Sequence, residues 1–234
     1  MITPSKRAGR IIGVLFLVQM SLAPLSNFVL LGPAIIAPPG FLTNAAGHAT
    51  QVNVAVILSL MTGATWLGIA ITAFPIFGRH SRTLATWLLA LAVVSLCGSI
   101  GEGVASRSLL ALSQEHVKAD AAGAALFHAA ATLARSIRNS MHYMNLLLSG
   151  VSLAVLYTVL FRFTLIPRPL SVFGLATVAL LIAGALIPLL GYRTVMLMFM
   201  PMAISQLALA AWLIARGLAG TPHAALAATG GSGR

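Results

Sequence analysis

Residues 84–106 read LATWLLALAVVSLCGSIGEGVAS, an apolar run with a single acid, Glu102, close to its end. The run is long enough to cross a lipid bilayer as a helix, which takes about 20 residues. A carboxyl group is costly inside a membrane, so it normally faces other helices or a wet cavity and has a partner there. This stretch therefore predicts a membrane helix and locates a polar centre within the protein.

The composition excludes an ordinary soluble domain. The 234 residues are 59% hydrophobic and only 7% charged, with a mean hydropathy of +0.99, whereas soluble domains carry about 25% charged residues. The net charge is +11, but the basic residues occur in short groups between apolar runs, which is typical of orientation signals. We therefore expect contact with the lipid bilayer and no nucleic-acid partner.

The sequence predicts an all-α polytopic membrane bundle of six transmembrane helices. Each apolar run must be helical, because lipid offers no partner to free backbone N–H and C=O groups. The predicted spans are Ile11–Ile36, Val52–Phe77, Leu84–Ser106, Asn139–Phe161, Leu170–Tyr192 and Thr194–Ala215. They form one transmembrane domain over residues 11–216, between a cytoplasmic N-terminal tail at residues 1–10 and a flexible C-terminal tail at residues 217–234.

The cationic residues predict that both termini are cytoplasmic, because most arginines and lysines then lie in the cytoplasmic connections. The outer connection, about residues 107–138, contains mixed charge. Its second half, residues 119–138, is rich in alanine and has no proline, which favours helix. We expect this helix to continue into the fourth span and to extend it on the outer side.

Local signals add detail to the spans. Pro24, Pro188 and Pro201 lie inside predicted spans, where proline kinks a helix or frees a backbone carbonyl. The stripe Ser95, Ser99 and Gly103 recurs every four residues and lets another helix approach the third span closely. The single cysteine, Cys97, cannot form an internal disulfide and is expected to be a small buried residue.

Placed by depth, several polar side chains fall in one layer in the outer half of the bundle. A row of basic residues on the fourth span and its extension runs toward the lone acid, so Glu102 is expected to meet Arg138 or His142. The arrangement predicts either a small polar pocket or an interhelical ion pair. The candidate ligand-binding residues are Asn27, Asn53, Glu102, Arg135, Arg138, His142, Asn145 and Tyr192.

The sequence gives no reason to expect a metal or a cofactor. His142 is the one histidine within a predicted span, so a haem held between two spans lacks its second ligand. No close Cys/His spacing is present. Met196 and Met198 begin an alternating series, but helical residues two apart do not share a face. The sequence contains no Gly-x-Ser-x-Gly or His-Glu-x-x-His motif.

Several stretches resemble a known family. They are the span that opens Met141-His142-Tyr143, the basic proline link at residues 166–174, the run at residues 201–214 and the apolar opening that follows Arg10. Together they resemble a widespread group of uncharacterised bacterial six-span proteins, catalogued only as a domain of unknown function. The resemblance implies a multi-pass protein of the bacterial inner (plasma) membrane. It implies no reaction and no functional residues.

Three functions remain open at this stage. The first is a non-enzymatic membrane protein that binds or passes a small lipophilic or anionic ligand in the outer-half pocket. The second is an intramembrane enzyme that uses Glu102 and His142 as acid and base. The third is a structural or regulatory partner of another membrane protein, with the stripe on the third span as the interface. A homo-oligomer also stays open.

Overall fold

A computed structural model describes residues 4–119 and 124–219, and these residues contain helices and no strands. The helices are α1 (Pro4–Pro24), α2 (Phe41–Gly47), α3 (Ala49–Phe77), α4 (Arg82–Lys118), α5 (Ala124–Arg162), α6 (Arg168–Leu189) and α7 (Met200–Arg216). Six helical segments are long and apolar enough to cross a membrane. The predicted all-α membrane bundle is therefore confirmed. Most of the predicted C-terminal tail, residues 220–234, lies outside the described residues.

The six spanning helices form a closed ring in which each packs against two others. The order around the ring is α1, α3, α4, α5, α6 and α7, which returns to α1. Side chains fill the interior: the ring of Phe16 meets Trp66 edge to face. The Trp66 indole N–H donates to Ser152 Oγ at 3.0 Å, and the hydroxyls of Tyr157 and Ser205 lie 2.8 Å apart. These bonds join helices that are not neighbours in the ring.

The first span changes from α-helix to π-helix after Pro24. Proline has no N–H and its ring crowds the preceding turn, and the chain here widens into π-helical turns over Leu25–Leu30 and Gly32–Ile36. Ser26 bonds across to α3 through the carbonyl of Ala55 at 2.9 Å. The break predicted at Pro24 thus takes the form of a wider helix that stays attached to its neighbour.

Helices α4 and α5 are much longer than a bilayer is thick. They contain 37 and 39 residues, or about 55 and 58 Å at 1.5 Å per residue, against a hydrocarbon core of about 30 Å. The pair therefore projects beyond the membrane at one end. For α5 this confirms the predicted extension of the fourth span, whereas α4 continues to Lys118, well past the predicted end of the third span at Ser106. Helix α2 packs there on α4, where Ser113 donates to the carbonyl of Leu42 and accepts from the N–H of Ala46, both at 2.9 Å.

The small-residue stripe on α4 is occupied within the chain. A Cβ added to Gly63 of α3 would lie 2.9 Å from Ser99 Oγ, and one on Gly103 would lie 3.0 Å from Val56 of α3. The stripe therefore lets α3 and α4 approach closely. The prediction that Cys97 is buried is wrong: its side chain is exposed, because it lies on a different face of α4 from Ser99.

The connection between α6 and α7 is longer than the sequence indicated. Regular helix α7 begins at Met200, later than the predicted span start at Thr194, after a 3₁₀ turn at Met196–Met198. Pro201 lies in the first turn of α7, so the kink predicted there is wrong. Proline is tolerated in a first turn because the N–H that it lacks would have no helical partner. Residues 190–199 are called the α6–α7 link below.

We expect Gly174→Ala to lower the free energy of unfolding by about 1–3 kcal/mol, the usual effect of overpacking. A Cβ at this position of α6 would collide with the ring of Tyr157, which is buried and held by Ser205. Thermal and denaturant unfolding in one detergent would measure the change. Gly47→Ala is the control, since a Cβ there meets nothing within 4 Å. Equal stability of the two variants would contradict this packing.

Candidate functional site

The acid and its partners meet at one depth because of where they lie along two antiparallel helices. Glu102 is about 30 Å from the first residue of α4, and His142 is about 30 Å from the last residue of α5, at 1.5 Å per residue. Arg82 and Arg162 mark those two helix ends. The distance equals the hydrocarbon thickness of a bilayer, so the acid lies at the boundary of the membrane opposite to these arginines.

Glu102 is held by two basic side chains of α5. Its Oε1 lies 2.8 Å from His142 Nδ1 and accepts a longer bond of 3.4 Å from Arg138 Nη2. Glu102 is 6% exposed and Arg138 is 8% exposed. The carboxylate accepts, so the Nδ1 of His142 is the donor. The ion pair between Glu102 and Arg138 therefore joins α4 to α5 at a buried position.

A second polar contact lies one helical turn deeper. The Asn145 amide donates to Ser99 Oγ at 3.3 Å, and the Ser99 hydroxyl donates to the carbonyl of Ser95 at 3.1 Å. A Cβ added to Gly98 would lie 2.7 Å from Asn145 Oδ1. Glycine at this position therefore makes room for the amide between the helices. We call Glu102, Arg138, His142, Asn145 and Ser99 the acid cluster.

Other predicted site residues lie elsewhere. Asn27 donates to the carbonyl of Ala23 on its own helical segment at 3.1 Å. Asn53 is on α3, and its Oδ1 is buried without a hydrogen-bond partner among the residues that the structure describes. Arg135 and Tyr192 line a groove outside the acid cluster. The eight candidates thus divide between the cluster, the groove and two separate positions.

The groove runs between α5 and the α6–α7 link and has a volume of about 500 Å³. Its polar lining has hydroxyl, amide and guanidinium groups: Thr132, Arg135, Ser136, Asn139, Ser140, Tyr143, Tyr192, Arg193 and Thr194. Pro188, Leu189 and Gly191 complete it. The hydroxyls of Tyr143 and Thr194 lie 2.6 Å apart and so attach the link to α5. No carboxylate is among these lining residues.

The groove and the acid cluster use different faces of α5. Successive residues of a helix turn by about 100°, which separates Ser136, Ser140 and Tyr143 from Arg138 and His142. The cluster face packs on α4 and the groove face meets the α6–α7 link. Arg135 lies near the edge of the cluster face, and its side chain also lines the groove. Sequence reasoning missed most of the groove. The signal that could have found it is the recurrence of polar residues at intervals of three and four along α5.

The described ranges, 4–119 and 124–219, contain no group of three or more His, Cys, Asp or Glu side chains that could hold a metal ion. The rings of His116 and His128 have centroids 5.9 Å apart near the far end of the α4–α5 pair. Two imidazoles are fewer than the three or four protein ligands of a zinc site. The contacts observed in the acid cluster are an ion pair and hydrogen bonds.

Six apolar helices closed into a ring, with a buried ion pair between two of them, define a multi-pass α-helical membrane protein. The chain belongs to the family described as domain of unknown function DUF4386, whose model matches residues 11–217. The family resemblance seen in the sequence is thereby confirmed. No curated protein and no solved structure matches the chain.

We expect Glu102→Ala to lower the free energy of unfolding by about 3–5 kcal/mol, because it leaves Arg138 buried without its counter-charge. Thermal unfolding in detergent and equilibrium unfolding in mixed micelles would measure the change. The matched control is Glu115→Ala, which removes an exposed pair with Lys118 and should cost less than about 1 kcal/mol. A Glu102 variant as stable as the Glu115 variant would rule out a structural role for the acid cluster.

Proposed function

We propose that this protein binds a small anionic ligand, carrying a phosphate or a carboxylate, in the groove between α5 and the α6–α7 link. The observation that carries the proposal is that Arg135 and Arg193 line one groove whose lining has no acid. Its volume of about 500 Å³ falls in the range of small-molecule sites, about 300–1,000 Å³. The protein then acts as a binder or a passage rather than as an enzyme.

The charge and hydrogen-bonding groups of the groove suit an anion. Guanidinium groups donate paired hydrogen bonds to phosphate and carboxylate oxygens. Hydroxyl and amide groups from Ser136, Asn139 and Ser140 surround them and can donate to the remaining oxygens.

The acid cluster is better suited to hold α5 in place than to bind the ligand. Arg138 and His142 already share one carboxylate oxygen of Glu102, which neutralises the positive charge that an anion would need. A catalytic acid–base pair must reach its substrate, whereas Glu102 is 6% exposed. These contacts favour the binding function over the alternative of an intramembrane enzyme.

The alternative of a partner docked on the small-residue stripe loses its main support. Ser99 and Gly103 of that stripe pack on α3 of the same chain. An interface with another membrane protein or a second copy would therefore have to use another surface. Binding in the groove needs no such surface.

We also propose that the groove opens on the outer side of a bacterial plasma membrane. The start of α1, the residues after α7 and two connections meet at the opposite end of the bundle: Gly217 closely approaches Lys6, and the ring of His80 stacks on Phe163. That end also bears arginines of the α3–α4 connection and of the first turn of α6. Clustered lysine and arginine mark the cytoplasmic side of a multi-pass protein.

Cysteine labelling in intact cells tests this orientation. In a Cys97→Ser background, we expect Glu115→Cys to react with a membrane-impermeant maleimide, because Glu115 is exposed on the projecting end. Arg79→Cys, exposed at the other end, should react only after the cells are permeabilised. The reverse pattern of labelling would overturn the proposed orientation.

Binding of butyl phosphate and butyrate tests the anion site. We expect Arg135→Gln and Arg193→Gln each to raise the Kd at least about tenfold, since a hydrogen bond to a charged group contributes about 1.5–3 kcal/mol. Saturation-transfer NMR on the protein in a non-ionic detergent would measure the Kd. Arg107→Gln is the control, because Arg107 is exposed on α4 and is not a groove residue. If wild type and both groove variants bind equally, or none binds, the proposal fails.

A further inference from the structure

We infer that the ligand is an anionic lipid of the surrounding membrane, which enters the groove sideways with its head on Arg135 and Arg193 and its hydrocarbon chain over the α6–α7 link. This inference rests on the proposed anion site and names the class of molecule that fills it. Three observations support it: the apolar surface beside the groove, the depth of that surface in the membrane, and the continuity of that surface with the two arginines.

The α6–α7 link is an exposed apolar surface. Leu190 is 72% exposed, Tyr192 71% and Leu197 77%. Val195 and Met196 are also exposed, as is Met200 at the start of α7, so large apolar side chains lie on both sides of Arg193 and Thr194. An exposed apolar patch of this kind marks a binding surface or a membrane contact.

The depth of the link identifies what covers it. Helix α6 has 22 residues, about 33 Å at 1.5 Å per residue, which matches a hydrocarbon core of about 30 Å. Leu190, which follows the last residue of α6, therefore lies where acyl chains meet headgroups. Apolar side chains at this level contact lipid chains, and tyrosine is enriched there because it has an apolar ring and a polar hydroxyl.

The apolar link and the charged groove are continuous. Tyr192, Arg193 and Thr194 belong to the link and line the groove at the same time, while Leu190 and Leu197 extend the apolar surface on either side of them. Pro188 and Leu189 add apolar lining within the groove. One molecule with an anionic head and a hydrocarbon chain can satisfy both surfaces together.

A soluble anion would use only half of this site. It would bind the guanidinium groups but leave the neighbouring leucines unused, whereas the hydrocarbon chain of a lipid would lie against them. The open groove has a volume of about 500 Å³, within the range of sites that hold small molecules. It accommodates a lipid head and its glycerol while the chain stays on the link.

Two phosphate esters that differ only in chain length test the inference. Butyl phosphate probes the head site alone, and tetradecyl phosphate probes the head site together with the link. Binding of each would be measured by saturation-transfer NMR with the protein in phosphatidylcholine nanodiscs. Four proteins are compared: wild type, Arg193→Gln, the double variant Leu190→Ser/Leu197→Ser, and Leu207→Ser. Leu207 is the matched control, an exposed leucine of α7 away from the link.

We expect tetradecyl phosphate to bind wild type at least tenfold more tightly than butyl phosphate does. The double leucine variant should weaken tetradecyl phosphate at least fivefold and change butyl phosphate less than twofold. Leu207→Ser should change neither, which separates chain contact from simple partition into the bilayer. Arg193→Gln should weaken both probes.

The possible failures are distinguishable. If the double leucine variant binds tetradecyl phosphate as wild type does, the lipid inference is overturned while the anion site stands. If wild type binds neither probe, or if Arg193→Gln leaves both unchanged, the anion site itself is wrong and the inference falls with it.

Discussion

A carboxylate enclosed in a membrane bundle must be met by basic groups at its own depth, and the rest of this structure depends on that requirement. Glu102 is the acid inside the long third apolar run, and it is buried between α4 and α5. Its partner His142 lies at the same distance from the basic end of the bundle, and Arg138 lies one helical turn farther from that end. Leaving either charge without its partner would be costly, so the contact fixes how far α4 and α5 are shifted along each other.

Helix α5 carries residues of both the ion pair and the groove, so the position of one along the helix determines the position of the other. One face of α5 carries Arg138 and His142 against α4, and another carries Ser140 and Tyr143 toward the α6–α7 link. Arg135 lies near the edge of the first face and also lines the groove. Because both faces belong to one helix, the ion pair also sets the height of Arg135 in the groove that Arg193 lines from the other side. The proposed binding site therefore depends on a contact that no ligand touches.

Much of the fold followed from the sequence because lipid enforces simple rules. Apolar length predicts spans, and helical rise predicts depth, so the contact of Glu102 with α5 could be expected from residue numbers alone. The inward face of each span was harder to predict, and on α4 the stripe of Ser95, Ser99 and Gly103 marked it. Cys97 was expected to be buried and is exposed, because it lies off that stripe. Most of the groove was not predicted, because the α6–α7 link is longer than expected. The link is long because Pro201 lies in the first turn of α7 and not in the middle of a span.

A double-mutant cycle between Glu102 and His142 tests the central claim most directly. Glu102→Ala, His142→Ala and the double variant would be compared with wild type by equilibrium unfolding in mixed micelles. The account predicts that the double variant loses less stability than the two single losses combined, with a coupling of about 0.5–3 kcal/mol. Strict additivity would contradict it, since two groups that contribute independently cannot be the contact that holds α4 and α5 in register.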